Sequence, residues 1–232
     1  MHRFLFSPRW VVFHVVVAAA VIGMVLLGFW QLDRLDQRKN DNAGIEQRSS
    51  QPAVGLDDLL LPGVDPDDIA NRPVIVSGTY VPDQVVLFNR SQSGRAVDNV
   101  LTALALDDGR TLLVNRGAIP VGAAPPPPPA VEVRLLGRIR PSEERARGGL
   151  TDSQQTTVRE IRRVDVAQIA PQLPGDVVPV YIELITAQPE VGANDPEPLL
   201  PPQLSQGNHL SYAVQWFIFA LCVVIGWVLA VR

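Results

Sequence analysis

Two long apolar runs stand near the ends of this chain. Trp10–Trp30 holds 21 residues without a charged side chain, and Tyr212–Val231 holds another 20. At ~1.5 Å rise per residue each reaches about 30 Å, the thickness of a bilayer's hydrocarbon core. In hydrocarbon every backbone N–H and C=O must be bonded internally, so both runs are expected to be helices. The sequence therefore predicts a membrane-anchored α+β protein. A tail of residues 1–9 leads to a first transmembrane helix over 10–31, and a second covers 212–231. Between them lies one extracytoplasmic domain over 32–211.

The first run does not read as a cleaved signal peptide. Its apolar core has full spanning length and ends in Gly28-Phe29-Trp30-Gln31, a bulky edge rather than a small-residue cleavage site. An even number of spans puts both termini on one side. Arg3, Arg9 and the α-amine lie in a tail free of acids, and short basic segments stay in the cytoplasm. Both termini are thus expected inside a cell membrane, with the domain on the outer, periplasmic face. Arg34, Arg38 and Lys39 follow the first span but alternate with Asp33, Asp36 and Asp41 and open a long domain, where the counting rule is weak.

The stretch 31–211 carries all 24 acidic and 17 of the 20 basic residues, a net charge of −7. That excludes a basic face for nucleic acid and gives no pull toward anionic lipid. The one cysteine, Cys222, lies within the second run, so the domain has neither disulfide nor thiol chemistry. Its one histidine, His209, sits at the membrane edge. Cys/His metal sets and Ser-His-Asp or Cys-His triads are therefore missing from the body of the domain. Asp57-Asp58, Asp67-Asp68 and Asp107-Asp108 fall in turn contexts and read as loops or caps.

The first helix is predicted to pass the membrane through Leu32 and Leu35 and to end at Asn40, Asn42 and Gly44. Residues 49–72 read as loop with one helical turn at Leu56–Leu61. Val74–Tyr80 and Val85–Asn89 read as two strands split by Pro82-Asp83. Val100–Leu106 and Thr111–Asn115 flank Asp107-Asp108-Gly109-Arg110, a hairpin signal. Pro125–Pro129 must be a polyproline strut. Val131–Ile139 is a strand, Arg140–Gln155 a polar loop and Val158–Arg162 a short strand. Asp165–Ile169 suits one or two helical turns, Val178–Ile185 is the last strand, and 186–208 is an extended, proline-rich return. The domain is thus expected to be mainly antiparallel β, barrel-like, with six or seven strands.

The densest polar cluster opens the second span. On a helix His209, Tyr212, Ala213 and Trp216 share one face. Two readings stand open: an interfacial aromatic belt, or an imidazole ligand beside a flat apolar wall suited to a haem. His14, one turn inside the other edge, is a satisfied polar residue or a second ligand. Trp30, Gln31 and Arg34 form an aromatic–arginine cluster read as an anchor or a partner contact. Ala19/Gly23 and Cys222/Gly226 are small pairs suited to close helix contact. Arg116, leaving a strand at Leu113-Val114-Asn115-Arg116-Gly117, has a guanidinium either free to clamp a partner's carboxylate or held in a structural ion pair.

Four motifs in this order resemble the surfeit locus protein 1 family of cytochrome oxidase assembly factors. They are Gly28-Phe29-Trp30-Gln31-Leu32-Asp33-Arg34-Leu35, Arg72-Pro73-Val74 through Gly78-Thr79-Tyr80, Leu113–Gly117 with Pro120, and Asn208-His209-Leu210 with Tyr212-Ala213 and Trp216-Phe217. The resemblance covers nearly the whole chain. The family usually has an aromatic after its Arg-Gly, where Ala118 stands here, and often a Trp-Lys where Gln37-Arg38 stands. The five-proline run is also unusual. What the resemblance implies is a non-enzymatic role: receiving haem a at the position of His209, with Tyr212 and Trp216 beside it, and assisting its insertion into the oxidase's catalytic subunit. The implied partners are that subunit, its respiratory-chain neighbours and membrane lipid. A permanent accessory subunit is the alternative, and a membrane-tethered hydrolase a remote third.

Overall fold

A computed structural model describes residues 7–143, 159–190, 192 and 194–232. The first six residues, most of the polar stretch read as loop over 140–155, and Val158 lie outside the described residues. Two compact units emerge: residues 1–44 with 203–232, and residues 45–202.

The first unit is a pair of helices, α1 (Pro8–Ser49) and α4 (His209–Val231), each long and apolar enough to cross a membrane. On α1 the shielded or half-shielded positions include His14, Val17, Val21, Met24, Gly28, Gln31 and Leu35. On α4 they include His209, Ala213, Trp216, Ala220, Val223 and Trp227. Both stripes alternate steps of three and four residues, the spacing that lets antiparallel helices interlock at a shallow angle. The closest approach is at Gly28, where an added Cβ would stand 2.6 Å from the Phe217 ring. The small pairs expected to make this contact do not: nothing lies within 4 Å of a Cβ built on Gly23 or Gly226, and Cys222 is exposed. Packing selects the glycine on the seven-residue stripe, not glycines at large.

The predicted stop at Asn40, Asn42 and Gly44 is overridden, because α1 continues to Ser49. Helix propensity is a weak term and tertiary contacts outweigh it. Asn42 turns its amide to the Ser205 carbonyl (3.3 Å), and Arg48 in the last turn donates to the Ala70 carbonyl at 2.8 Å. Pro52 follows shortly after.

The second unit is a seven-stranded mixed sheet: β1 (Val54–Gly55), β2 (Pro73–Gln92), β3 (Arg95–Leu106), β4 (Arg110–Pro120), β5 (Glu132–Pro141), β6 (Glu160–Ile161) and β7 (Asp176–Gln188). Short helices α2 (Leu56–Leu59) and α3 (Val166–Ile169) accompany it. The pairings β2–β3–β4–β7–β5 return to β2, so the long ladders form a circuit. The hairpin at Asp107–Gly109 forms as read, with Gly109 at φ +85.

One expectation changes and another is refined. The pair of strands split by Pro82-Asp83 is one strand whose register shifts between Tyr80 and Gln84, so the proline sits in an irregularity rather than a gap. The mainly antiparallel reading holds for the ladders β2–β3, β3–β4, β2–β5 and β5–β7, but the sheet is mixed, because β4 and β7 pair in parallel. Both strands are buried on two faces. Leu112, Val114, Val180 and Ile182 enter the larger core cluster; Leu113 and Tyr181 enter a second one closed by Ile161, Val164, Val166 and Ile169. Two-sided burial is the setting that parallel strands occupy, and the crossover between them carries β5, β6 and α3.

Tyr80 and Tyr181 lie one in each cluster. Burial holds both phenols above the usual value. For Tyr80 the nearby Arg116 opposes and Asp195 adds to this, while for Tyr181 the Glu143 carboxylate adds to it. Above pH ~10 the unfolded chain ionises these phenols while the fold keeps them protonated, so their contribution to stability is lost as pH rises. Ultraviolet titration of the folded protein at pH ~11 should show Tyr80→Phe and Tyr181→Phe removing no phenolate signal, and unfolding in denaturant should release both.

Candidate functional site

Helix α4 starts at His209 because Gly207 (φ +68) turns the chain just before it. Tyr212 N–H already bonds the Asn208 carbonyl (3.1 Å), so the imidazole enters on the first turn. Its Nδ1 lies 2.8 Å from Gln31 Oε1 on α1. A Cβ added at Gly207 would stand 3.3 Å from the ring's Cδ2 and 3.4 Å from Nε2, so glycine leaves this edge uncrowded. Of the residues expected to share the histidine's face, Ala213 is buried and Trp216 half-buried, but Tyr212 is 51% exposed. The stripe facing α1 passes through 209, 213, 216 and 220, and Tyr212 falls on its flank. Phe217, part of the closing motif but given no role from the sequence, packs edge-to-face on Phe29 with centroids 5.6 Å apart.

Gln31 thus joins the histidine, while its neighbours Trp30 and Arg34 form a separate outer pair. Trp30 is half exposed and the Arg34 guanidinium stands 5.7 Å from its ring centroid. Arg34 also donates to Gln37 Oε1 at 3.0 Å. These two remain available on the surface. His14 lies at the other end of the helix pair, where Trp227 Nε1–H donates to its Nδ1 at 2.8 Å.

In the sheet domain, Arg116 is not a free clamp. It is 2% exposed, pairs with Asp195 through Nη2, donates to the Pro126 carbonyl at 3.1 Å and lies 5.4 Å from the Tyr80 ring centroid. The motif around it holds the return segment. Asn115 Oδ1 accepts from Gly117 N (3.3 Å), and Ala118 and Glu197 exchange two backbone hydrogen bonds of 2.7 Å. Gly117 has φ +136, and the Glu197 carbonyl presses on the place a Cβ would take. Gln92 and Arg138 bind the carbonyls of Pro198, Leu199 and Leu200. Asp195 lies 79 residues from its partner, and no local pattern marks it.

In chain order the sheet domain stands between two apolar helices, and those helices meet at a histidine and a glutamine. The profile of the SURF1 family matches residues 18–221, which include Gln31, Arg116 and His209. Uncharacterised SURF1-like proteins of Mycobacterium tuberculosis and Mycobacterium bovis are 31% identical over 233 aligned residues, covering 96% of this chain and 83% of theirs. A SURF1-like protein of Monosiga brevicollis is 28% identical over 87% of this chain and 81% of its own. The chain belongs to the SURF1 family.

Removing one partner of a buried ion pair costs about 3–5 kcal/mol. Arg116→Ala should therefore lower the melting temperature of the sheet domain by roughly 10 °C. Gly117→Ala should destabilise it by about 1–3 kcal/mol from backbone strain, before the clash with Glu197 is counted. Arg34→Ala, on the surface, should stay within about 0.5 kcal/mol of wild type. Thermal melts of the three purified variants check this ordering.

Proposed function

We propose that this protein assists the assembly of a haem a-containing terminal oxidase by holding haem a at His209 and passing it to the catalytic subunit. Family membership supports the class of function, since the resemblance implies oxidase assembly. The observation that carries the finer reading is the ring itself: Nδ1 is engaged by Gln31, and the Nε2 edge lies against a residue without a side chain. An iron ligand of this type binds through one nitrogen while the other is hydrogen-bonded. Trp216 and the apolar surface of α4 offer a macrocycle a wall, and exposed Tyr212 its polar rim. In this reading haem a is cargo, and no bond is made or broken on the protein. The exposed Trp30 and Arg34 are the surface offered to the catalytic subunit or its neighbours. The circuit of ladders supports a barrel-like domain, placed on the outer face of the cell membrane with both termini inside.

His209→Ala should leave membrane abundance nearly unchanged, because one residue at a helix start adds little to an apolar helix. It should lower haem a per purified protein severalfold, and oxidase activity in the cell should fall without vanishing. Equal haem in both, or haem in neither, removes His209 as the ligand and leaves a permanent accessory subunit as the better reading. For orientation, a periplasm-active reporter fused after residue 150 and a cytoplasm-active one fused after Arg232 should both be active. Activity from the opposite pair reverses the topology.

A further inference from the structure

The two interhelical histidines differ in a way that depends on their partners' chemistry. At one end of the helix pair, the indole Nε1–H of Trp227 can only donate, so His14 Nδ1 accepts. A neutral His14 then carries its proton on Nε2 and has no lone pair left there. At the other end, Gln31 is turned so that its Oε1 faces the ring, and with that atom accepting, His209 Nδ1 donates. A neutral His209 carries its proton on Nδ1 and keeps the Nε2 lone pair. The free nitrogen is the one on the edge beside Gly207.

We propose that Gln31 is a positioning residue that holds His209 in its Nδ1–H tautomer, so that Nε2 is the nitrogen presented to a metal. The proposal deepens the haem reading and rests on it for the identity of the metal; the tautomer stands independently. It explains how the helix pair has two histidines and one usable ligand. His14 is locked with its lone pair spent on Trp227, which removes it as a second axial ligand. Gln31 is also well placed for the task. It is half-buried on the α1 stripe that faces α4, three residues after Gly28, where the helices approach most closely. Close backbones hold a short amide within reach of a ring on the neighbouring helix. A carboxylate at 31 would do the same work, since it too accepts, whereas an aliphatic side chain of similar size would not.

The test separates tautomer from haem. The full chain, labelled with nitrogen-15 in histidine only and purified in detergent without haem, is examined at a pH where the rings are neutral. The resonances lost in His209→Ala belong to that residue. Wild type should show His209 with a proton on Nδ1 and His14 with a proton on Nε2. Gln31→Leu should move His209 to the Nε2–H form, and Gln31→Glu should restore the wild-type pattern, with His14 unchanged in both. A wild-type His209 protonated on Nε2 means the amide donates instead, and overturns the proposal. A Gln31→Leu spectrum identical to wild type overturns it equally. Equal membrane abundance and helical content in the variants guard against misfolding.

The same preparations are then titrated with haem a. Gln31→Leu should bind it about tenfold or more weakly than wild type, as loss of the group behind a metal-bound histidine does elsewhere, and Gln31→Glu should recover binding. A tautomer switch with unchanged haem affinity overturns the link to the ligand. If wild type binds no haem at all, the haem reading fails, and the nitrogen spectra alone decide the role of Gln31.

Discussion

The sheet domain depends on one strand being paired along both edges at once. Residues 74–75 of β2 meet β1 on one side and β5 on the other; 78–79 meet β3 and β5; 86–87 meet β3 and β6. One edge thus belongs to β1 and then β3, the other to β5 and then β6. The partner on the second edge changes across the register shift between Tyr80 and Gln84, where Pro82 cannot donate to either neighbour. Gly78 sits just before it, where the Ala105 carbonyl leaves no room for a Cβ. Were the strand to end at Tyr80, β6 would lose its partner and β3 would keep only Gly78–Tyr80 of its ladder with β2.

Much of this was legible from residue pattern. Alternating β-branched residues marked the strands, Asp107-Asp108-Gly109 marked the hairpin, and uninterrupted apolar runs marked the two long helices. What escaped was set by contacts between residues far apart. Pro82-Asp83 carries every local sign of a break, yet the ladders on either side hold the strand together. The parallel alignment of β4 and β7 follows from burial on both faces, and Leu112-Leu113-Val114 reads the same for any buried strand. Helix α1 outlasts its Asn and Gly signals because Asn42 and Arg48 find partners distant in sequence.

The candidate site was legible in part for a similar reason. Helical spacing brought His209, Ala213 and Trp216 to one face but widened it to include Tyr212. The true stripe is narrower, because only a seven-residue repeat keeps two helices in contact along their length. Gln31 was visible as a neighbour of Trp30 and Arg34, but no pattern within α1 assigns it to a histidine 178 residues away. For Arg116 the structure selects one of the two readings, the ion pair. The guanidinium is enclosed against Asp195 and Tyr80, and only the identity of its distant partner was beyond the sequence. The Asn115–Ala118 motif is better understood as the fastening for residues 195–200.

The proline run gives that fastening an unusual neighbour. Pro126 accepts hydrogen bonds from Gln84 and Arg116 through one carbonyl. Five consecutive residues without an amide hydrogen cannot zip onto a strand, whether of this chain or of another. The buried guanidinium therefore leans on a stretch of backbone that accepts but never competes, and that no misplaced strand can recruit away.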